Sequence, residues 1–275
     1  MPEGHVIHRL ARHINEVFGG RPVRVDSPQG RFAVEAERLD KSTLVKGEAV
    51  GKHLFVEFDV PEPRWVHIHL GLIGKLRFEA VAPVRGQIRL RIRDDATQAL
   101  LSGPQWCRAV TTRERDAVQA ASGPDPLRAD ADPEVGFQRL TRSGKSIAAL
   151  LMDQRIAAGV GNIFRAEVLF RLRLRPTTPG SEIDRRTWQA IWDDLVQTMH
   201  AGVTTGRIDT VRDDHSPAAQ NRPARQDRHG GEVYVYRRAG QECLVCGTPI
   251  RTSILEGRNM YWCPGCQRRK RAAAT

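Results

Sequence analysis

Cys243-Leu244-Val245-Cys246, then sixteen residues, then Cys263-Pro264-Gly265-Cys266, decides how the end of this 275-residue chain folds. Two Cys-x-x-Cys knuckles at this separation put four thiolates around one tetrahedral point, the donor set of a structural zinc ion. Four sulfurs leave no open coordination position, so one Zn2+ is expected, with no chemical step assigned to it. The segment between them, 248–262, is expected to form a β-hairpin turning near Leu255-Glu256-Gly257-Arg258. Arg258 at its tip is poised for a backbone phosphate. The fifth cysteine, Cys107, stands alone. That distribution suits a metal site in a reducing compartment better than a disulfide framework.

N-terminal to the knuckles, residues 204–231 are polar and aperiodic, which predicts a mobile loop. Before it the chain reads as helical. A helix is expected over about 184–200, with Trp188, Ile191, Trp192, Leu195, Val196 and Met199 on one face. Shorter helices are expected over 135–140 and 146–155. Between them and the long helix lies Asp153-Gln154-Arg155-Ile156-Ala157-Ala158-Gly159-Val160-Gly161-Asn162-Ile163-Phe164-Arg165-Ala166-Glu167. Two glycines end one helical stretch, and Asn162 is expected to cap the next, which runs to about Arg171. The freed amides of that helix start make an anion site suited to a phosphate. The three prolines of 121–133 mark a domain boundary.

Ahead of that boundary the pattern is short strands: Leu54–Phe58, Trp65–Leu70, Leu76–Phe78 and Ile88–Arg93. Their succession argues for an antiparallel sandwich or barrel. Arg89, Arg91 and Arg93 share one strand face, which reads first as a solvated surface. His67 and His69 also share a face and read as packing rather than metal ligation. Lys52 follows a glycine at a strand entrance, where a lysine reaches a phosphate or a reacting centre, although a single surface lysine is ordinarily just solvated. Leu70-Gly71-Leu72-Ile73-Gly74 puts two apolar side chains in a turn. They belong under a loop or in a base stack.

The chain opens Met1-Pro2-Glu3-Gly4, followed by an amphipathic helix over Gly4–Phe18 with Val6, Leu10, Ile14, Val17 and Phe18 at helical spacing. With Met1 removed, Pro2 is a free secondary amine beside the Glu3 carboxylate. An α-amino group titrates at about 7.7–8, well below lysine at about 10.4, so near neutrality more of it is the unprotonated nucleophile. Such an amine adds to a sugar aldehyde as an iminium, and Glu3 can supply the ring-opening proton. Many chains begin Met-Pro without catalytic purpose, so this reading depends on a site built around the terminus. The net charge of +11 points to a polyanionic partner. Arg268-Arg269-Lys270-Arg271 would add nonspecific attraction. No apolar run reaches membrane length and no signal segment opens the chain, so a cytoplasmic protein without membrane association is expected.

In order and spacing, Pro2-Glu3-Gly4, Gly51-Lys52, His69-Leu70-Gly71-Leu72, Asp153-Gln154 with Gly159-Val160-Gly161-Asn162, Val233-Tyr234-Val235-Tyr236 and the cysteine hairpin with Arg258 resemble the bacterial formamidopyrimidine-DNA glycosylase / endonuclease VIII family. The likeness covers nearly the whole chain. It implies an α+β fold in three parts: an N-terminal helix with an antiparallel β-sandwich over 1–120, a helix-two-turn-helix domain over 134–231, and a zinc-finger β-hairpin over 232–275. It implies a monomeric DNA glycosylase and abasic-site lyase of base excision repair, bound to double-stranded DNA that carries damaged bases or abasic sites. Pro2 would attack C1′, Glu3 would donate a proton, and Lys52, Asn162 and Arg258 match phosphate-binding positions. Leu72 matches the residue that fills the void left by the flipped base. The chain departs from oxidised-guanine specialists. Ser102–Arg108 keeps no Arg and Phe pair in register, Ala148 stands where those members have a lysine, and His5 and Val6 replace an acidic residue. The expected branch is therefore endonuclease VIII-like, acting on oxidised pyrimidines. Oxidised purines, or damaged-DNA binding without catalysis, are the alternatives.

Overall fold

The structure, a computed structural model, describes residues 2–227 and 231–268. The basic tail beyond Arg268 lies outside the described residues. The chain divides into two compact units, 1–122 and 123–275.

In the first unit, helix α1 (Gly4–Phe18) begins and ends where the sequence pattern placed it. Its buried face is rotated from the expected stripe. Ile7, Ala11, Ile14 and Phe18 are buried, while Leu10 and Val17 lie on the flank. The cause is a close approach to the strand Thr43–Val50, where a Cβ on Gly47 would lie 3.0 Å from Ile14 Cγ2. Asn15 locks that contact. Its Nδ2 donates to Gly47 O at 2.9 Å, and Gly47 N donates to its Oδ1 at 2.6 Å.

The strands are β1 (Arg21–Pro22), β2 (Arg24–Asp26), β3 (Thr43–Val50), β4 (His53–Phe58), β5 (Trp65–His69), β6 (Lys75–Ala80), β7 (Ile88–Arg93), β8 (Thr97–Ser102) and β9 (Trp106–Val110). They form two antiparallel sheets, ordered β1-β3-β4-β5-β9 and β2-β7-β8-β6. One core joins them: Leu44, Val56 and Ile68 from the first meet Val25, Ile92 and Leu101 from the second. This is a sandwich, not a barrel. The arginines of β7 do point away from that core, yet they are tethered rather than simply solvated. Arg91 grips Asp26 on β2 through Nε at 2.9 Å and Nη2 at 2.5 Å, and Arg89 Nε donates to Gln29. Two helices escaped the periodicity reading, α2 (Ala33–Leu39) and α3 (Thr112–Ala121). The second opens with a capping box between Thr111 and Glu114.

The second unit contains α4 (Pro133–Thr141), α5 (Ile147–Leu150), α6 (Asn162–Arg171), α7 (Arg185–Thr205) and the hairpin β10 (Arg251–Leu255) with β11 (Arg258–Trp262). Helix α5 is a single turn, and 151–161 continues as turns rather than the longer helix expected. Helix α7 is capped by Asp184, extends five residues past His200, and ends on Gly206 in the left-handed region. Its Trp188, Ile191, Leu195 and Met199 face a core that also takes Ile250, Met260, Tyr261 and Cys263 from the hairpin segment. The described part of the segment expected to be mobile is fastened at several points. Ile208 and Thr210 are buried, Thr210 N donates to Glu232 O at 2.8 Å, and Arg222 pairs with the Glu232 carboxylate at 2.8 Å. Charged side chains anchor it, so it leaves no apolar period to read. Among the described residues, no helix is long and apolar enough to cross a membrane.

Candidate functional site

Pro2 is half-buried immediately before α1, and Glu3 is the N-cap residue of that helix. Glu3 is only 1 % exposed, yet its side chain makes no capping bond. His5, two residues on, is also buried, and burial foremost pushes its pKa down to about 4.

Lys52 occupies the second place of the two-residue turn joining β3 to β4, after Gly51 at φ 56°. Glycine takes the left-handed position without strain, which sets the tight hairpin. Beside it, on one face of the sheet, the cross-strand row is His53, His69 and Trp106. The His69 and Trp106 rings stack at 4.5 Å.

The turn after β5 is built to hold its tip out. His69 Nδ1 accepts from Gly71 N at 3.2 Å, and Gly74 N donates to Leu70 O at 3.0 Å. A Cβ at Gly71 would meet Gln105 Cβ at 2.9 Å, and one at Gly74 would meet Leu70 O at 2.3 Å. Leu72 and Ile73 stand 66 % and 78 % exposed on this pinned turn. The expectation of an apolar tip therefore covers two side chains.

In the second unit, Asn162 is the first residue of α6, and Gly161 takes the cap position expected for it. The Asn162 side chain is used sideways. Its Nδ2 donates to Asn259 O at 2.9 Å, and its Oδ1 accepts from Arg165. Arg165, 1 % exposed, also donates to Ala148 O at 3.1 Å and Asn259 O at 3.3 Å. The start of α6 and the residue next to Arg258 are thus tied together. Arg258 itself is exposed, just past a turn with Glu256 and Gly257 both at positive φ.

Sequence reasoning missed Arg165 and Glu167. The Glu167 carboxylate, 1 % exposed, accepts from Tyr234 N at 2.7 Å, Val235 N at 2.9 Å, Tyr236 N at 2.9 Å and Thr210 Oγ1 at 2.6 Å. The only available signal was two charged residues among the otherwise apolar positions 163–170 of α6.

The four cysteine sulfurs lie within 4.8 Å of one another. Cys243 and Cys266 are 3.8 Å apart, and Cys246 and Cys263 are 3.4 Å apart. A tetrahedron of thiolates about 2.3 Å from zinc has edges of about 3.8 Å, so the cluster can hold such an ion. Val245 N and Cys266 N point at Cys243 and Cys263 sulfurs at 3.5 and 3.4 Å, the arrangement that supports bound thiolates. A Cβ at Gly265 would lie 2.8 Å from Cys246 Sγ, so the knuckle requires glycine there.

The described architecture is thus a hairpin whose four cysteines could hold a metal ion, joined to a helical unit, and a β-sandwich that carries the N-terminal helix. The chain matches the family models described as the formamidopyrimidine-DNA glycosylase N-terminal domain, over residues 1–110, and the formamidopyrimidine-DNA glycosylase H2TH domain, over residues 122–213. It is 45% identical over 274 residues to Endonuclease 8 1 of Mycobacterium tuberculosis, covering 97% of this chain and 100% of that one. It is 32% identical to the formamidopyrimidine-DNA glycosylase of Paraburkholderia phymatum, covering 98% and 100%. Among solved structures, MutM in complex with DNA containing carbocyclic 8-oxo-G shares the fold at a TM-score of 0.77 and 21% identity, covering 98% and 100%. The chain belongs to the formamidopyrimidine-DNA glycosylase / endonuclease VIII family of DNA-repair glycosylases and abasic-site lyases.

Proposed function

We propose that this enzyme removes oxidised pyrimidines from double-stranded DNA, processes abasic sites, and cuts the strand by successive β- and δ-eliminations through a Pro2 iminium. The observation that carries the chemistry is the pairing of Pro2 with a deeply buried Glu3 at the start of a helix packed against β3. A packed helix keeps the amine in one place, as a nucleophile requires. The Pro2 nitrogen, freed of Met1, attacks C1′ and the N-glycosidic bond breaks. Glu3 protonates the ring oxygen as the sugar opens to the iminium. Loss of the C2′ proton then expels the 3′ phosphate, and the second elimination expels the 5′ phosphate. Lys52, Asn162 and Arg258 take backbone phosphates. Asn162 keeps a second amide proton beyond the one given to Asn259. Leu72 fills the space of the flipped nucleotide.

The four thiolates take one structural zinc, which holds the β10–β11 hairpin of the finger domain assigned to 232–275 and supplies no step. Within the two compact units we assign 1–120 to catalysis and 134–231 to DNA binding. The pyrimidine preference is supported by the 45% identity to a protein named Endonuclease 8 and by the missing Arg and Phe pair in 102–108.

Borohydride trapping on abasic-site duplex, with intact-mass measurement of the same preparation, tests the lyase. A covalent complex with protein lacking Met1 is expected. No complex, or complete cutting by protein with Pro2 blocked, refutes it. Duplexes carrying single oxidised bases separate pyrimidine from purine substrates.

A further inference from the structure

A buried histidine pair lies beside Lys52. His53 Nδ1 and His67 Nε2 are 3.0 Å apart, so one of them carries the proton between the rings. His67 is 1 % exposed and stacks on Phe55 at 4.4 Å. Its other nitrogen, Nδ1, is buried without a partner, and so is Trp106 Nε1, whose ring centroid is 5.8 Å away. An indole N–H only donates. If His67 Nδ1 also carried a proton, two buried donors would go unmet side by side, the rarer and costlier arrangement. His67 therefore keeps its proton on Nε2 and donates it to His53 Nδ1. A neutral His53 must then carry its own proton on Nε2.

That nitrogen has no hydrogen-bond partner among the described residues, and the ring is half-buried rather than sealed. His69 is differently occupied, since its Nδ1 accepts from Gly71. With its Nδ1 accepting, neutral His69 carries its own proton on Nε2, and its side chain bonds Gln105; the donor next in sequence to Lys52 is that of His53.

We infer that His53, with its tautomer set by His67, is a phosphate-binding residue. It offers an uncharged Nε2–H to the backbone phosphate that Lys52 attracts. The inference rests on the phosphate role proposed for Lys52. Burial foremost, then the charges of His69, Arg108 and Lys52, holds His53 near a pKa of about 4, so it remains an uncharged donor at neutrality. An uncharged donor releases no counterion, which separates it from lysine in a salt series.

The test uses the full zinc-loaded chain and duplex DNA containing a tetrahydrofuran abasic analogue, with affinity read by fluorescence anisotropy over a salt series. His53→Phe is expected to bind about tenfold more weakly with an unchanged salt slope. His53→Gln, whose amide places a donor near Nε2, is expected to recover most of that loss. Lys52→Ala is expected to lower the slope by about one. Nitrogen-15 imidazole spectra should show the Nε2–H tautomer at His53, and a mixture in His67→Phe. A slope that drops with His53→Phe, a His53→Gln as weak as His53→Phe, or an Nδ1–H tautomer in the wild type overturns the inference. Wild type that ignores the abasic duplex, with Lys52→Ala indistinguishable from it, sinks the parent assignment as well and is recognised by that pattern.

Discussion

Glu167→Gln and Glu167→Ala ask how firmly one buried carboxylate holds the second unit together. In the wild type, Oε1 accepts from Val235 N and Tyr236 N, and Oε2 accepts from Tyr234 N and Thr210 Oγ1. A glutamine keeps one oxygen and turns the other position into an N–H donor. Placed with its oxygen toward Val235 and Tyr236, it retains those two bonds. Thr210 rotates its hydroxyl to accept, and only the Tyr234 amide is left facing another donor. One unmet buried amide costs about 1–3 kcal/mol. Alanine removes the acceptor from all three amides and the hydroxyl at once, and about 3–5 kcal/mol is the scale for breaking such a buried charged cluster, with entering water as partial compensation. For a unit of about 150 residues, each kcal/mol moves Tm by about 2–4 °C. At the midpoints of those costs, about 2 and about 4 kcal/mol, glutamine should lower the melting of the second unit by about 4–8 °C and alanine by about 8–16 °C. Differential scanning calorimetry of the zinc-loaded protein resolves the transition, with the first unit's melting as an internal control. A glutamine variant as destabilised as alanine would refute the bond-by-bond assignment. An alanine variant within about 1 °C of wild type would remove the carboxylate's anchoring role altogether.

Arg258→Ala should weaken binding to all DNA sequences alike and reduce the salt dependence of affinity by about one phosphate's worth; a change in which base is chosen would contradict the phosphate role. Chelation should abolish the β10–β11 hairpin and weaken DNA binding while the β-sandwich stays folded, followed by limited proteolysis; simultaneous loss of both units would contradict their independence. Acid should loosen the first unit. The folded-state pKa of His5 lies near 4, below the ordinary 6.5, so the unfolded chain binds the extra proton first and stability falls between those values. By pH 4 that residue alone accounts for about 3 kcal/mol, and a urea midpoint that stays flat from neutrality to that pH would rule the burial effect out.

Much of the scaffold was legible because it is local. Helix α1 spans Gly4–Phe18 as its spacing required, and β7 alternates Ile88, Leu90 and Ile92 inward with arginines outward. Helix α2, at seven residues, was too short for a period to register inside a strand-rich region. Of the candidate site, Glu3, Lys52, Leu72 and Arg258 occupy places their spacing suggested. Asn162 does not, because Gly161 caps α6 and the asparagine turns toward a strand ninety-seven residues away.

The four cysteines, the basic balance, the Pro2-Glu3 terminus and the strand-then-helix order could be read from the chain alone, because each depends on residue type and short spacing. Tertiary structure decided which polar groups meet. Glu167 reaches amides sixty-seven to sixty-nine positions on, and His53 reaches His67 across a strand pair. Such bonds form only after the backbone has brought distant groups into one low-dielectric place, and burial there sets both their cost and their strength.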